Sequence, residues 1–232
     1  MINSDFERLD AATLAAYSAI PATIVADVAG RRGALDARVR SMAPGLSAVG
    51  TAFTVEVRPG DNLMIHAALM LARPGDILVV DGKADTTSAL MGELMCAHAA
   101  AAGIAAVVID GMVRDSATLR EGRFPVFAAG VNANGPTRTQ GGRIGYPVSV
   151  GGVSAAAGDL VVCDDDGVVI VPRQDAAGLL KAAQAKIAAE ARRLNDIQEG
   201  RLLYGWLEGA LKTAGELPPE DTIPGLIKRF QS

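Results

Sequence analysis

Two rhythms of apolar residues alternate along this chain. In Leu9–Tyr17 and in "LMIHAALMLA" (Leu63–Ala72) the spacing is helical, whereas "ILVVD" (Ile77–Asp81) and Ala105–Ile109 are short unbroken runs of the kind buried on both faces of a sheet. Pro21 opens and Gly30 closes a second short helix, following the proline-first, glycine-last asymmetry of helix ends. A strand from Gly50 through Val57 breaks at Pro59–Gly60, and Asp61 or Asn62 caps the helix that follows. The second half of "GKADTTSALMGELMCAHAAAAG" (Gly82–Gly103) reads as an Ala-rich helix ended by Gly103. Strand, helix and strand with short links predict a βαβ unit and a mainly parallel, covered sheet in the middle third.

Beyond that unit the pattern changes. "YPVSVGGVSAAAGDLVVCDDDGVVIVP" (Tyr146–Pro172) holds several short strands with a hairpin expected at Asp166–Gly167, which adds antiparallel members to the sheet system. "GDILVVD" (Gly75–Asp81) and "GDLVVCD" (Gly158–Asp164) echo one another and suggest two similar strand entries into one core. From Gln174 to about Gln198 the spacing is that of a long amphipathic helix, and "YGWLEGALK" adds a short one after Gly200. Pro218, Pro219 and Pro224 mark a mobile or partner-packed tail. The expected organisation is a catalytic domain over residues 1–173 and a helical extension over 174–232, packed on that domain or on a neighbouring subunit.

At 232 residues, half of them apolar, the chain can bury a sizeable core. A net charge of −4 gives no basic field for tracking phosphates, so a nucleic acid partner is not expected, and small anions must be held by local cations. Cys96 and Cys163 lie in apolar runs and read as reduced core residues. The start carries no leader pattern, and no apolar run reaches the ~18 residues of a membrane span, so a cytoplasmic protein without membrane contact is expected.

The common nucleotide, hydrolase and zinc-protease motifs are absent. His66 and His98 read as helix-surface or core residues, and "DDDG" (Asp164–Gly167) as a solvated hairpin tip rather than a cation loop. Two stretches carry chemistry. Gly92 stands before Glu93 at the start of a helix, where free N–H groups and the positive dipole end seat an anion. Arg114–Asp115 follows the next strand, where Asp115 can cap a helix and Arg114 can be a surface cation. Both stretches lie past the carboxyl ends of buried strands, the place where open α/β sheets bind ligands. Brought together, Asp115 and Glu93 can hold Mg²⁺ directly or through water, Arg114 can face a carboxylate or developing oxyanion, and the amides of Leu94 and Met95 can form a second anion seat. That combination suits a 2-oxo acid. Lys83, also at a strand end, offers a second route through a Schiff base.

In "PGDN" (Pro59–Asn62), "PGDILVVDG" (Pro74–Gly82), "GEL" (Gly92–Leu94), "GMVRD" (Gly111–Asp115), "FPVFA" (Phe124–Ala128) and "GDLVVCDDDGVVIVP" (Gly158–Pro172) the chain resembles the RraA-like family. That family includes the class II, metal-dependent 4-hydroxy-4-methyl-2-oxoglutarate/4-carboxy-4-hydroxy-2-oxoadipate aldolases and the regulators of ribonuclease activity A. The resemblance implies an α/β fold, a layered α/β/β/α sandwich like the swivelling phosphohistidine domain with a C-terminal helical extension, assembled as a homotrimer or homohexamer with sites at subunit interfaces. It also implies roles: Glu93 near a Mg²⁺ or Mn²⁺ ion, Asp115 as metal ligand, Gly92, Leu94 and Met95 around bound pyruvate, and Arg114 on the pyruvyl oxygen. The implied activity is cleavage of a 4-hydroxy-2-oxo acid to pyruvate and decarboxylation of oxaloacetate. Thr118 departs from the pattern, since the aldolases carry an acid there and the ribonuclease regulators do not. The alternative is therefore a non-catalytic protein that binds and inhibits a ribonuclease.

Overall fold

A computed structural model describes residues 1–231. Its helices are α1 (Ala11–Tyr17), α2 (Ala22–Val28), α3 (Leu63–Leu71), α4 (Glu93–Ala101), α5 (Ser116–Glu121), α6 (Ala176–Gln198), α7 (Leu207–Thr213) and α8 (Ile223–Gln231). The strands are β1 (Arg40–Ser41), β2 (Ala48–Glu56), β3 (Asp76–Met91), β4 (Ala106–Val113), β5 (Val126–Val131), β6 (Arg143–Ile144), β7 (Val148–Val150), β8 (Val153–Ala155), β9 (Leu160–Asp164) and β10 (Gly167–Val171). Residues Met1–Lys186 form one compact unit and the chain from Ile187 a second, the division falling within α6.

The first unit is built on a sheet of order β1-β5-β4-β3-β2-β9-β10, with β6 on β2, and a separate β7-β8 pair. β2, β3, β4 and β5 run parallel, as the strand–helix–strand pattern requires, and β9 and β10 add antiparallel edges. The echoing strands β3 and β9 flank β2, one parallel and one antiparallel, so the repeated "GD" turn feeds two neighbours of a single central strand.

Alternate residues of β2–β5 bury two faces. Val55, Leu78, Val80, Val107 and Ile109 pack under α3, α4 and α5. Ala52, Ile77, Val79, Val108 and Phe127 face β7, β8 and one side of the β9–β10 hairpin, whose other side, Leu160, Val162, Val169 and Val171, meets α1, α2 and the start of α6. The layers are therefore helix, sheet, sheet, helix, as the resemblance implied.

Two expectations are corrected. β3 does not stop at Asp81 but continues to Met91 through register shifts against β4, with Lys83 and Ala84 at left-handed φ of 61° and 52°. The hairpin tip is Asp165–Asp166, and Gly167 opens β10 paired with Asp164. Beyond Pro218 and Pro219 the chain forms α8, which accepts Pro224 because a first-turn residue has no intrahelical N–H bond to lose. Among the described residues no single helix is long and apolar enough to cross a membrane.

Candidate active site

The bulged end of β3 sets the site. Ala89 pairs with Met112 and Met91 with Val113, so the residues that leave the two strands, Gly92 and Arg114, emerge side by side. The Arg114 N–H donates to the Met91 carbonyl at 2.9 Å and locks the two exits together. A Cβ on Gly92 would lie 2.4 Å from Asp115 Oδ2 and 2.8 Å from Arg114 Cγ, so glycine is required for this approach.

Asp115 precedes α5 with a left-handed backbone, φ 59° and ψ 38°, a conformation aspartate tolerates better than most residues. Its side chain does not cap α5, contrary to the sequence expectation. Instead Oδ2 accepts the Glu93 N–H at 3.0 Å and caps the first amide of the neighbouring helix α4. Among the described residues no donor reaches Oδ1. Arg114 Nε lies 3.7 Å from the same carboxylate, and both side chains are well exposed, at 44% and 40%. With the first amide taken, those of Leu94 and Met95 have no protein acceptor among the described residues and remain available at the positive end of α4.

These groups line a cavity of about 410 Å³. Gly92, Glu93, Leu94, Met95, Arg114 and Asp115, the residues singled out from sequence, all border it, joined by Asn62, His66, Pro136 and Arg138. Asn62 is 1% exposed; its Nδ2 donates to the Leu90 carbonyl at 2.9 Å, and its Oδ1 has no partner. Buried polar atoms in native proteins are nearly always paired, so an orphan oxygen at a cavity wall points to a ligand or water. His66 Nε2 is likewise buried and unpartnered. Burial first, then the charge of Arg138, lowers the His66 pKa, so the imidazole is neutral near pH 7. Asn62 was read as a cap and His66 as a core or surface residue; α3 brings both to the cavity wall, a placement no local pattern in "DNLMIHAAL" discloses. Arg138 sits in a polar loop that carried no signal at all.

Other candidates fall away. Lys83 Nζ lies 2.7 Å from Asp81 Oδ2 and 3.2 Å from Glu56 Oε1. Burial opposes its charge, but these two carboxylates outweigh it and raise the pKa, which leaves an ammonium unsuited to attack a carbonyl. Burial pushes the thiols of Cys96 and Cys163 up to about 12, as expected of core cysteines. Thr118 lines an adjoining cavity of about 340 Å³ together with Glu93, Cys96 and Arg123.

The RraA-like family model, described as Aldolase/RraA, matches residues 10–170. A protein of Halalkalibacterium halodurans named "Putative 4-hydroxy-4-methyl-2-oxoglutarate aldolase" is 34% identical over 183 residues, covering 79% of this chain and 87% of its own length. An uncharacterized protein from Pseudomonas syringae pv. tomato superposes with a TM-score of 0.75 at 27% identity, over 84% of this chain and 96% of that one. Streptomyces coelicolor RraAS2, described as an unusual member of the RNase ES inhibitor RraA family, superposes with a TM-score of 0.73 at 26% identity, over 81% and 98% of the two chains.

Proposed function

The chain belongs to the RraA-like family, and from that premise we propose that the cavity at the head of α4 is the active site of a divalent-metal-dependent lyase. The substrate is a 4-hydroxy-2-oxo di- or tricarboxylate of the 4-hydroxy-4-methyl-2-oxoglutarate type, cleaved to pyruvate and a second 2-oxo acid. Oxaloacetate is decarboxylated through the same enolate. The observation that carries this reading is the convergence of Arg114, Asp115, Glu93 and the unpaired amides of Leu94 and Met95 on one cavity.

The donor set suits Mg²⁺ or Mn²⁺. Asp115 offers an oxygen with no protein donor and Glu93 a second carboxylate on the same cavity. Two carboxylates on one cavity suit a hard cation that keeps several waters and takes one or two carboxylates plus substrate oxygens. When bound, the cation draws electron density from the substrate's 2-oxo group. The amides of Leu94 and Met95 hold the C1 carboxylate. Glu93, or a water it orients, removes the 4-hydroxyl proton; that oxygen becomes the new carbonyl as the C3–C4 bond breaks, and the bond's electrons pass to the 2-oxo oxygen. Arg114 donates to that oxygen as its charge grows, and protonation at C3 completes pyruvate.

The test is pyruvate release from 4-hydroxy-4-methyl-2-oxoglutarate and from oxaloacetate, read through a coupled dehydrogenase, with Mg²⁺ and with EDTA. Release that needs the metal supports the lyase; none above the uncatalysed background sinks it. One observation favours a second reading. Thr118, where the aldolases carry an acid, lines the adjoining cavity together with Glu93, and a structural relative is described as an unusual member of the RNase ES inhibitor RraA family. A protein that inhibits a ribonuclease without metal and releases no pyruvate would meet that alternative.

A further inference from the structure

The cavity holds a second guanidinium that the chemistry above does not use. Arg138 lines it together with Leu94 and Met95 and has no carboxylate partner among the described residues. The loop that carries it is fastened on both sides. Asn132 Nδ2 donates to the Thr86 carbonyl at 2.7 Å and Asn134 Nδ2 to the Thr87 carbonyl at 2.9 Å, which ties the loop's start to the extended arm of β3. At its other end Asp61, 1% exposed, accepts from Thr137 Oγ1, Thr139 N and Gln140 N at 2.7, 2.7 and 3.1 Å.

The two neighbours of Arg138 are therefore both bonded to one buried carboxylate, while its own side chain is left to the cavity. Between the fastenings, Gly135 passes so close to the site that a Cβ there would lie 2.9 Å from Arg114 Nη1. The loop is thus held against the catalytic arginine and presents a second one at a fixed place. Charge follows the same logic. Glu93 and Asp115 balance Arg114 and Arg138, so one divalent cation leaves the cavity doubly positive, the complement of a dianion.

We propose that Arg138 is the specificity-determining residue that receives the second carboxylate of the substrate, and so selects dicarboxylic over monocarboxylic 2-oxo acids. This rests on the proposed 2-oxo acid site, with the C1 carboxylate at the α4 amides. The guanidinium fork suits a planar carboxylate, and its place on the cavity rim leaves it hydrated until a ligand arrives.

Binding by titration calorimetry tests it on the full chain with Mg²⁺, using two ligands of equal carbon length that cannot undergo cleavage: 2-oxoglutarate and 2-oxopentanoate. The wild type is expected to bind 2-oxoglutarate about 10- to 100-fold more tightly, the range of one charge-assisted hydrogen-bonded contact. Arg138→Met is expected to abolish that preference while 2-oxopentanoate binds within about twofold of wild type, and Arg138→Lys to restore part of it. An Arg138→Met protein that keeps the wild-type ratio overturns the assignment, as does one that loses both ligands equally, a wild type without preference, or a wild type that binds neither. The ratio is read without turnover. A protein that shows the ratio but releases no pyruvate refutes the lyase and keeps Arg138; one that releases pyruvate with an unchanged ratio does the reverse.

Discussion

Replacing Gly92 by alanine is the sharpest perturbation of the site that leaves its functional groups chemically intact. The backbone there is extended, φ −153° and ψ −163°, so alanine is conformationally acceptable and the penalty is one of contact. The added Cβ would sit 2.4 Å from Asp115 Oδ2, 2.8 Å from Arg114 Cγ and 3.3 Å from Arg114 Nε. Asp115 cannot retreat without lengthening its 3.0 Å bond from the Glu93 amide, and Arg114 is bonded through its backbone to Met91. Overpacking of this kind costs about 1–3 kcal/mol. For a unit of this size that lowers Tm by a few degrees to about 10 °C. Moving one oxyanion donor costs on the order of 10²–10³ in kcat. Gly92→Ala is therefore expected to stay folded at 25 °C with a modestly lower Tm and a collapsed rate of pyruvate release. Gly135→Ala, which would meet Arg114 Nη1 at 2.9 Å and does not approach Asp115, should lower the rate with a smaller loss of Tm. A Gly92→Ala enzyme with wild-type turnover would show that the Arg114–Asp115 pair does not pack on Gly92 as described.

Asp61→Asn should destabilise the first unit by about 2 kcal/mol at neutral pH: burial alone would raise the Asp61 pKa, but the donors at Thr139, Leu63, Thr137 and Gln140 hold it down to about 2, against an unfolded value of 3.8. Because the folded pKa is the lower one, that stability is present above pH 4 and lost as pH falls towards 2, so denaturant melts of wild type and variant should converge over that window; a constant difference would contradict the clamp. The His66 ring, followed by NMR, should titrate below 6.5, and Arg138→Met should move it upward without restoring the ordinary value, since burial is the larger cause. An unmoved titration would mean that Arg138 does not reach the cavity. Asp115→Asn should raise the Mg²⁺ concentration needed for half-maximal pyruvate release by at least tenfold, and unchanged metal dependence would remove Asp115 from the ligand set.

Sequence pattern reached the site by a short path and missed its outer wall for a physical reason. The run Ala105–Ile109 and the helix after Gly92 are dense in apolar residues, and burial fixes their places, so Gly92, Glu93, Arg114 and Asp115 could be set beside one another from strand order alone. Gly82–Ser88 carries no such signal. It holds no large apolar residue and two of its residues are left-handed, yet the chain stays paired through bulges, an outcome decided by neighbouring β4 and by Asn132 and Asn134 rather than by local preference. Arg138 depends on that arm and on Asp61, contacts that span 46 to 79 positions in the chain and leave no local periodicity. Asp115 was legible as a helix-end residue but not as the cap of the other helix, because the side chain's choice depends on how close β3 and β4 bring the two starts.

The central claim is that Arg114 and a divalent cation together stabilise charge on the 2-oxo oxygen. It is tested most directly by measuring pyruvate release from 4-hydroxy-4-methyl-2-oxoglutarate under saturating Mg²⁺ by wild type and by Arg114→Ala, each repeated in EDTA. The account predicts turnover in wild type that vanishes in EDTA and falls on the order of 10²–10³ in the variant. Equal turnover by the two proteins, or turnover indifferent to EDTA, would contradict it.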